Sequence, residues 1–546
     1  MKTLFTTAVI SVLASVTLYA ADDTNPAWPS FRNGGGSQVS GSLPLTWSPK
    51  RDIAWQVETS GYGQSAPVIF ADRVYVTSAI GPQKQQCAVT AFELSTGDQV
   101  WQSRVDAAQQ GPSNYMYSRA APTPVVDAGG VFAFFESGDL ISLQQDGSRR
   151  WHRNLSAELG PFESNHGLGS SLAQTSELLL LNIEHKGPSH LLAVAKDTGE
   201  IVWKVDRPSG SSWTSPVVTP DAVIVSSAGE LTACALADGR PLWTISGLEG
   251  NSVPSPCVVG KRVYTGARIP EFGSAADAAR SNICVELPTG ESTEATILWR
   301  SRGAVCDYAS PVVDGDRVYF LNKVGVLSCL NATSGEPLFR TRLGAECWAT
   351  PVVAANGIYF FARNGTAKVI ARGPEFELLQ TNRLWDPANA PQPEVYREAE
   401  RGGHGHGHGA STAQSADAGK TDAGKTPPAG EQSAPRRGPG GMVAALMSRD
   451  ANGDGRLQPE ELSAEFRPMM KRVDTNADGT LDQSELDAMA KSFAERRKNS
   501  RESSRDPIVY GVAAVPGTII VRTGTRLYCL RQSAEQTARM SGNGSR

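Results

Sequence analysis

The sequence predicts an all-β fold, an eight-bladed β-propeller closed by strands from both chain ends, with a small all-α insertion. The first ground is a four-strand pattern that recurs about every 40–50 residues, a spacing typical of propellers. The clearest copy begins at Ser215-Pro216-Val217 and ends at Trp243, with four short strands bounded by turn residues. Four such strands form one antiparallel blade. The second ground is that the two chain ends supply complementary parts of one further repeat.

The other repeats can be located from the same pattern. Their first strands begin at Ala66-Pro67-Val68, Thr123-Pro124-Val125, Ser170-Ser171-Leu172, Ser255-Pro256-Cys257, Ser310-Pro311-Val312, Thr350-Pro351-Val352 and, more weakly, Tyr510-Gly511-Val512. The repeats close on Trp101, Trp151, Trp203, Trp243, Trp299 and Phe339, and the seventh ends near Leu384. A glycine between the third and fourth strands, as in Ser95-Thr96-Gly97, supplies the positive φ that such a turn needs.

The chain ends predict how the ring closes. The last repeat supplies only three strands, Val512–Ala514, Thr518–Arg522 and Arg526–Leu530. Near the start, Ile53–Val57 contains the closing aromatic Trp55 but has no first three strands before it. Joining the two segments makes an eighth blade from both ends and removes the free sheet edges of an open ring.

Two acidic segments carry the clearest chemistry. Residues 450–461 and 474–485 place oxygen-bearing side chains at alternate positions around a central glycine and end on Glu461 or Glu485. This pattern resembles the EF-hand loop, which surrounds Ca²⁺ with about seven oxygens. The predicted ligands are Asp450, Asn452, Asp454, Arg456 (through its backbone carbonyl) and Glu461 in the first loop, and Asp474, Asn476, Asp478, Thr480 and Glu485 in the second.

The repeat pattern, Ser-Pro-Val-Val through to Thr-Gly and a closing Trp, resembles the pyrroloquinoline quinone (PQQ)-like propeller family. That family includes quinoprotein alcohol dehydrogenases and the lipoprotein subunit of the outer-membrane β-barrel assembly machine. The resemblance covers Trp28–Leu384 and Asp506–Gln532. It implies that the closing tryptophans, Trp101, Trp151, Trp203, Trp243 and Trp299, pack between neighbouring blades.

Composition sets the domain boundaries and the compartment. Met1–Ala20 combines Lys2, a short apolar run and small residues before Ala21, which is typical of a secretory signal peptide. We therefore expect an exported protein, periplasmic or extracellular, without a transmembrane segment after cleavage. The predicted domains are a signal peptide at 1–20, propeller at 21–385, low-complexity flexible linker at 386–441, EF-hand pair at 442–500 and final blade at 506–532.

Charge and cysteine content narrow the function classes. A net charge of −4 without a basic stripe argues against nucleic acid. Among the eight cysteines, Cys234, Cys284, Cys329 and Cys529 are predicted at matching third-strand positions, as small buried hydrophobic residues. Cys306 and Cys347 precede equivalent strands, and export would permit a disulfide between them.

The sequence favours binding over catalysis. It has no vicinal cysteine pair of the kind found in quinoprotein dehydrogenases, no Cys-x-x-Cys-His haem motif and no recognisable catalytic or PQQ-binding residue. We therefore predict a calcium-binding protein whose propeller acts as a protein-binding or scaffold module, with PQQ not expected as a cofactor. The alternative is a PQQ-dependent quinoprotein oxidoreductase, dehydrogenase-like, with a diverged site.

Propeller topology predicts where a partner would bind. Trp213, Tyr308 and Trp348 each lie three residues before the proline that opens a first strand, so they share one face of the ring. Arg119 and His166 lie in similar segments. We expect a protein partner on this face; the alternative is that these rings only plug the mouth of the channel.

Overall fold

The computed structural model describes residues 27–113, 117–270, 273–288, 294–390, 443–491 and 509–531, without 444–445, 451, 463–469, 471–472 and 477. The chain separates into two compact units, Met1–Glu394 with Asp506–Arg546, and Val395–Arg505. The first unit is a ring of eight antiparallel sheets, seven with four strands and blade 1 with five, and the main four strands of each sheet follow chain order except in the closing blade. The predicted eight-bladed β-propeller is confirmed. The predicted signal peptide and most of the predicted linker lie outside the described residues.

The blades follow one another along the chain. Blade 1 contains the strands Val68–Phe70, Arg73–Ile80, Gln86–Glu93 and Gln99–Asp106, and blade 2 contains Val125–Asp127, Gly130–Phe134, Asp139–Leu143 and Arg149–Asn154. Blade 3 contains Ala173–Gln174, Leu178–Ile183, Ser189–Ala195 and Ile201–Arg207. Blade 4 contains Val217–Val218, Ala222–Ser227, Glu230–Ala235 and Pro241–Ile245. Blades 5 to 7 are formed by Cys257–Val259, Arg262–Thr265, Ile283–Glu286 and Thr296–Arg300; by Val312–Asp314, Arg317–Leu321, Val326–Asn331 and Pro337–Arg342; and by Val352–Ala354, Gly357–Phe361, Thr366–Ile370 and Leu378–Arg383. Short helices span Leu155–Leu159 and Ala275–Arg280.

Blade 8 is built from both ends of the propeller, as predicted. Its first three strands are Gly511–Val515, Thr518–Arg522 and Arg526–Arg531, and its fourth is Ile53–Glu58. The two segments pair in antiparallel register, with Trp55 opposite Cys529. The ring is therefore closed by backbone hydrogen bonds between residues more than 400 positions apart in sequence.

The fourth strand of every blade carries a β-bulge immediately before its closing position. In blade 3, for example, Trp203 pairs with Ala193 and Ile201 pairs with Val194, which leaves Val202 unpaired and 53% exposed. The same register shift occurs in the other seven blades. In blade 7 the closing position is Gln380, so the predicted end near Leu384 is four residues too late. Bulges on these outer strands interrupt the free edges that would otherwise pair with another sheet.

The closing tryptophans join neighbouring blades, as the family resemblance implies, although Trp243 does so only by packing against an apolar cluster that includes Val263 and Ile283 of blade 5. Five indole N–H groups donate to backbone carbonyls of the next blade at 2.8–3.1 Å: Trp55 to Leu94, Trp101 to Gln145, Trp151 to Lys196, Trp203 to Leu236 and Trp299 to Ala332. Each ring also covers a turn glycine with positive φ: Gly97, Gly147, Gly199, Gly239 and Gly335, respectively. One residue thus supplies both apolar contact and a hydrogen bond across each of these blade interfaces.

We expect Gly147→Ala to destabilise the ring more than Gly247→Ala. Both glycines have left-handed backbones, with φ of 85° and 77°, so alanine costs each about 1 kcal/mol. Only at Gly147 would the new Cβ meet a ring, 2.6 Å from Cδ2 of Trp101, which adds about 1–3 kcal/mol of steric strain. Denaturant unfolding of both variants measures the difference, and equal losses would show that the docked tryptophan adjusts freely.

A belt of hydroxyl groups explains the recurring Ser/Thr-Pro. In each of six neighbouring pairs, the backbone N–H at the first-strand start of one blade donates at 2.9–3.1 Å to the hydroxyl of the next: Ala66 to Thr123, Thr123 to Ser171, Ser171 to Ser215, Ser215 to Ser255, Ser255 to Ser310 and Ser310 to Thr350. These contacts satisfy buried backbone donors. Because Ser171 occupies the belt, the predicted register of blade 3, which placed Ser170 there, is wrong by one residue.

The channel along the propeller axis contains an N-terminal segment that the sequence analysis did not assign. Residues 27–28 add a fifth strand to blade 1, with Trp28 opposite Ile69. Further along, the Arg32 guanidinium donates to the carbonyl of Pro256 at 2.7 Å, and the Ser37 hydroxyl to that of Pro351 at 2.6 Å. This segment, residues 27–42, therefore ties together first strands from opposite sides of the ring.

All eight cysteines are buried and free, so the disulfide that export would permit between Cys306 and Cys347 is not formed. Cys284, Cys329 and Cys529 pair with the closing aromatics of their blades, as matching positions require. Cys234 is the exception: it pairs with Pro241 across the bulge, one residue away from the equivalent position. All four lie on third strands as predicted.

The second unit has its own small core. Residues 483–491 are helical, and Arg456–Leu457 pairs with Leu481–Asp482 to join the two acidic loops. Its buried apolar residues are Val443, Leu446, Leu457, Leu462, Met470, Val473, Leu481, Leu486, Met489 and Ala490. In the described part of the whole chain, no helix has the length and apolarity needed to cross a bilayer.

Candidate functional site

The two acidic loops have matching hydrogen-bond patterns. In the first, Asp450 accepts from the N–H groups of Gly453 (2.7 Å) and Gly455 (2.8 Å). In the second, Asp474 accepts from Asp478 (3.2 Å) and Gly479 (2.9 Å). These bonds fold each loop around its first carboxylate. The glycines at the turns have φ of 72°, 78° and 81° at Gly453, Gly455 and Gly479, which other residues rarely adopt.

The last glutamate of each loop is held over the loop by backbone donors. Glu461 accepts from the N–H groups of Asn452 (3.4 Å) and Gln458 (3.0 Å). Glu485 accepts from those of Thr475, Asn476 and Asp482 at 2.8–3.3 Å. Both oxygens of each carboxylate are engaged, which is the orientation that a bidentate calcium ligand needs.

The charged forms of the loop carboxylates are stabilised. Burial alone raises the pKa of Glu485, but the hydrogen bonds from Thr475, Asp482 and Asn476 outweigh it, so the pKa lies below its usual value. Hydrogen bonds from Thr480 similarly lower the pKa of Asp478, and the Arg456 N–H lowers that of Asp454. All three are therefore ionised at neutral pH and available to a cation.

The donor set depends on more than carboxylates. Among the described residues, no three Asp, Glu, His or Cys side chains lie close enough together to hold a metal ion alone. The predicted ligands therefore need the amide oxygens of Asn452 and Asn476, the Thr480 hydroxyl and the Arg456 carbonyl. This mixed set of hard oxygens fits Ca²⁺ and does not fit Zn²⁺, which favours nitrogen and sulfur ligands.

The predicted aromatic residues of the propeller lie in two ring clusters at the starts of the first strands, a surface we call the entry face. In the first cluster, Tyr308 and Trp348 have ring centroids 4.8 Å apart, and Trp348 lies 6.1 Å from Tyr510. Tyr510 in turn lies 6.1 Å from Tyr62, and their hydroxyls are 2.8 Å apart. The cluster crosses blades 6, 7, 8 and 1.

Trp213 belongs to the second cluster. Its ring lies 5.8 Å from His166, which lies 6.5 Å from Tyr117, and its indole N–H donates to the carbonyl of Gly167 at 2.8 Å. Trp213 is thus tied to blade 3. The three predicted aromatic residues share a face but do not form one patch.

Exposed apolar side chains also lie on the entry face. Tyr308 is 38% exposed, and Ile269 and Val324, from loops between second and third strands of blades 5 and 6, are 44% and 45% exposed. The N–H of Lys323 donates to Asp307 at 2.9 Å, which holds the Val324 loop against the segment of Tyr308. An exposed apolar patch rimmed by polar groups is typical of a protein-binding surface.

Comparison with known families identifies the propeller. A family model described as "Outer membrane protein assembly factor BamB" matches residues 49–166, 187–280 and 291–401, more than half of the chain. The chain belongs to this family. An EF-hand family model matches residues 444–466 and 466–490. Both resemblances read from the sequence, the PQQ-like propeller and the inserted EF-hand pair, are confirmed.

Individual BamB relatives are distant. The outer membrane protein assembly factor BamB of Alkalilimnicola ehrlichii is 25% identical over 157 residues, which cover 29% of this chain and 36% of the relative. The match thus spans little more than a third of that curated relative. Among solved structures, BamB from Moraxella catarrhalis has a TM-score of 0.45 at 15% identity, covering 60% of this chain and 87% of its own. A europium-containing methanol dehydrogenase has a TM-score of 0.47 at 12% identity, covering 66% and 85%.

The sequence analysis missed several residues of the entry face. It did not single out Tyr62 and Tyr510, which complete the first aromatic cluster, or Arg522, which is fully buried beside Tyr62. Arg522 ends an otherwise apolar strand, and a lone arginine in that context is the signal that could have found it. No similar sequence signal identifies Tyr62 and Tyr510, because these residues are brought together only by closure of the ring.

Proposed function

We propose that this protein is an exported, calcium-binding scaffold whose propeller binds another protein through the entry face. The observation that carries the proposal is the exposure of the apolar side chains of Tyr308, Ile269 and Val324 on one face of a ring of the BamB family. The relative's name describes an outer membrane protein assembly factor, which supports a role in binding proteins outside the cytoplasm. The signal-like segment at residues 1–20 supports export.

Photo-crosslinking tests the surface. A photoreactive amino acid at position 308 should give a discrete cross-linked protein, because this side chain is exposed within the aromatic cluster. The matched control is position 202, which is 53% exposed but lies on the bulge of an outer strand. Equal labelling from both positions, or none from position 308, would contradict binding at the entry face.

We further propose that the EF-hand pair binds two Ca²⁺ ions through the ten predicted ligands. The paired loops, their matching hydrogen bonds and the family match support this assignment. An exported protein meets abundant calcium, so affinities near the extracellular range, with Kd on the order of 10⁻⁴ M, are sufficient. Bound calcium would neutralise part of the negative charge of each loop.

Calorimetry with charge-neutral variants tests both calcium sites. Glu461→Gln and Glu485→Gln should each weaken one site by more than about 10-fold, since even substitutions behind the ligands cost that much at metal sites. Glu460→Gln removes the same charge from an exposed neighbour outside the ligand set and should leave both affinities unchanged. The calcium assignment is wrong if the wild-type protein gives no calcium-dependent heat at millimolar concentration.

A further inference from the structure

Two buried arginines lie near one aromatic ring on the entry face. The Arg119 guanidinium lies 3.1 Å from the centroid of the Tyr62 ring, and only 4% of this residue is exposed. Its Nε is buried without a hydrogen-bond partner. Arg522 is fully buried and close enough to Tyr62 to interact with it electrostatically, and its Nε is also unpaired. Two positive charges therefore lie close to Tyr62.

Neither charge is neutralised within the described part of the chain. Arg522 donates only to uncharged oxygens, the carbonyl and hydroxyl of Ser65, the carbonyl of Thr77 and the hydroxyl of Ser78. Burial lowers the pKa of Arg522 to about 9, so the side chain remains charged at neutral pH. A buried cation without a counter-ion is costly unless an anion or fixed dipoles approach it.

The neighbouring carboxylate is already engaged. Glu136 accepts from Nζ of Lys84 at 3.0 Å and from the N–H of Ala120 at 2.9 Å, so its charge is matched by that lysine. Ser118, next to Arg119 in the chain, has a buried hydroxyl without a partner. The site therefore keeps an excess of positive charge and offers a further polar group for a ligand.

We propose that Arg119 binds a carboxylate group at the mouth of the channel. This rests on the proposed function: the carboxylate belongs to an acidic side chain of the bound protein, in a segment that also contains an aromatic residue. The planar guanidinium presents paired donors that match a carboxylate. Tyr510 and Trp348, which are half-buried beside the fully buried Tyr62, supply the adjoining aromatic surface, while Arg522 stabilises the bound negative charge.

The test uses calorimetry on the full chain with a capped peptide, acetyl-Gly-Asp-Tyr-Asp-Gly-amide, and with its counterpart containing Asn for Asp. The Asp peptide should bind the wild-type protein at least 10-fold more tightly than the Asn peptide. Arg119→Met should reduce that affinity at least 10-fold. Arg119→Lys keeps the positive charge but not the paired donors of the guanidinium, so its affinity for the Asp peptide should be intermediate. Arg149→Met removes an exposed cation from an outer strand and should leave the affinity for the Asp peptide unchanged.

Succinate distinguishes the two sources of a carboxylate. Tighter binding of the peptide than of succinate supports a protein ligand, whereas equal Arg119-dependent affinities support a carboxylate site but overturn its assignment to a protein. Equal affinities for the Asp and Asn peptides, no peptide binding, or full affinity in a folded Arg119→Met variant would overturn the carboxylate site. These results leave cross-linking from position 308 unaffected, so failure of the site and failure of the proposed function are distinguishable.

Discussion

Ending the chain at Tyr510 should abolish the cooperative unfolding transition of the propeller. This truncation removes the first three strands of blade 8, and Ile53–Glu58 then has no strand to pair with. Arg522, which joins blade 8 to Ser65 and Thr77 near the start of blade 1, is lost as well. An opened ring exposes two sheet edges and the apolar faces that blade 8 covers. The loss of folding free energy should therefore exceed that caused by removing any single contact.

A chain ended at Arg531 is the control, because it retains every strand of blade 8. Its unfolding should match that of the full chain. Scanning calorimetry and circular dichroism of the two truncated proteins give the comparison. A cooperative transition of unchanged midpoint in the shorter protein would show that the termini do not close the ring.

Trp299→Ala should be the most damaging of the single substitutions considered, lowering the free energy of unfolding by about 3–5 kcal/mol. Trp299 is only 8% exposed, donates to the carbonyl of Ala332 and contacts the rings of Tyr264 and Phe320. Alanine leaves a cavity between blades 5 and 6 and removes one of the two hydrogen bonds to the Ala332 carbonyl, the other being donated by the Tyr264 hydroxyl. The free energy can be measured by urea unfolding.

Leu298→Ala provides the matched control, since it removes an apolar side chain from the bulge next to Trp299 that is 37% exposed. Its cost should stay below about 1 kcal/mol, as is usual for partly exposed positions. Similar losses in the two variants would show that the stability of this interface does not depend on tryptophan docking.

The sequence by itself determined the features that short stretches of chain encode. Each blade needs a local pattern of apolar runs, a turn glycine and a closing aromatic, so the number of blades and most strand starts could be predicted. The two acidic loops are similar, because all the predicted ligands of each proposed calcium site lie within twelve consecutive residues. Even the shared blade was predictable, since an isolated fourth strand ending on Trp55 and three unmatched strands can complete only each other.

Only the tertiary structure decided the features that depend on neighbouring blades. The hydroxyl belt assigns Ser171 rather than Ser170 to the strand start of blade 3, because the belt position is defined by a donor on blade 2. The channel segment is held by contacts such as Arg32 to Pro256, 224 residues apart, for which no local pattern exists. Likewise, Arg119 and Arg522 meet at Tyr62 only because ring closure brings blades 8, 1 and 2 together. Local periodicity determines each blade, whereas the charge and shape of the entry face arise from packing between residues that are distant in sequence.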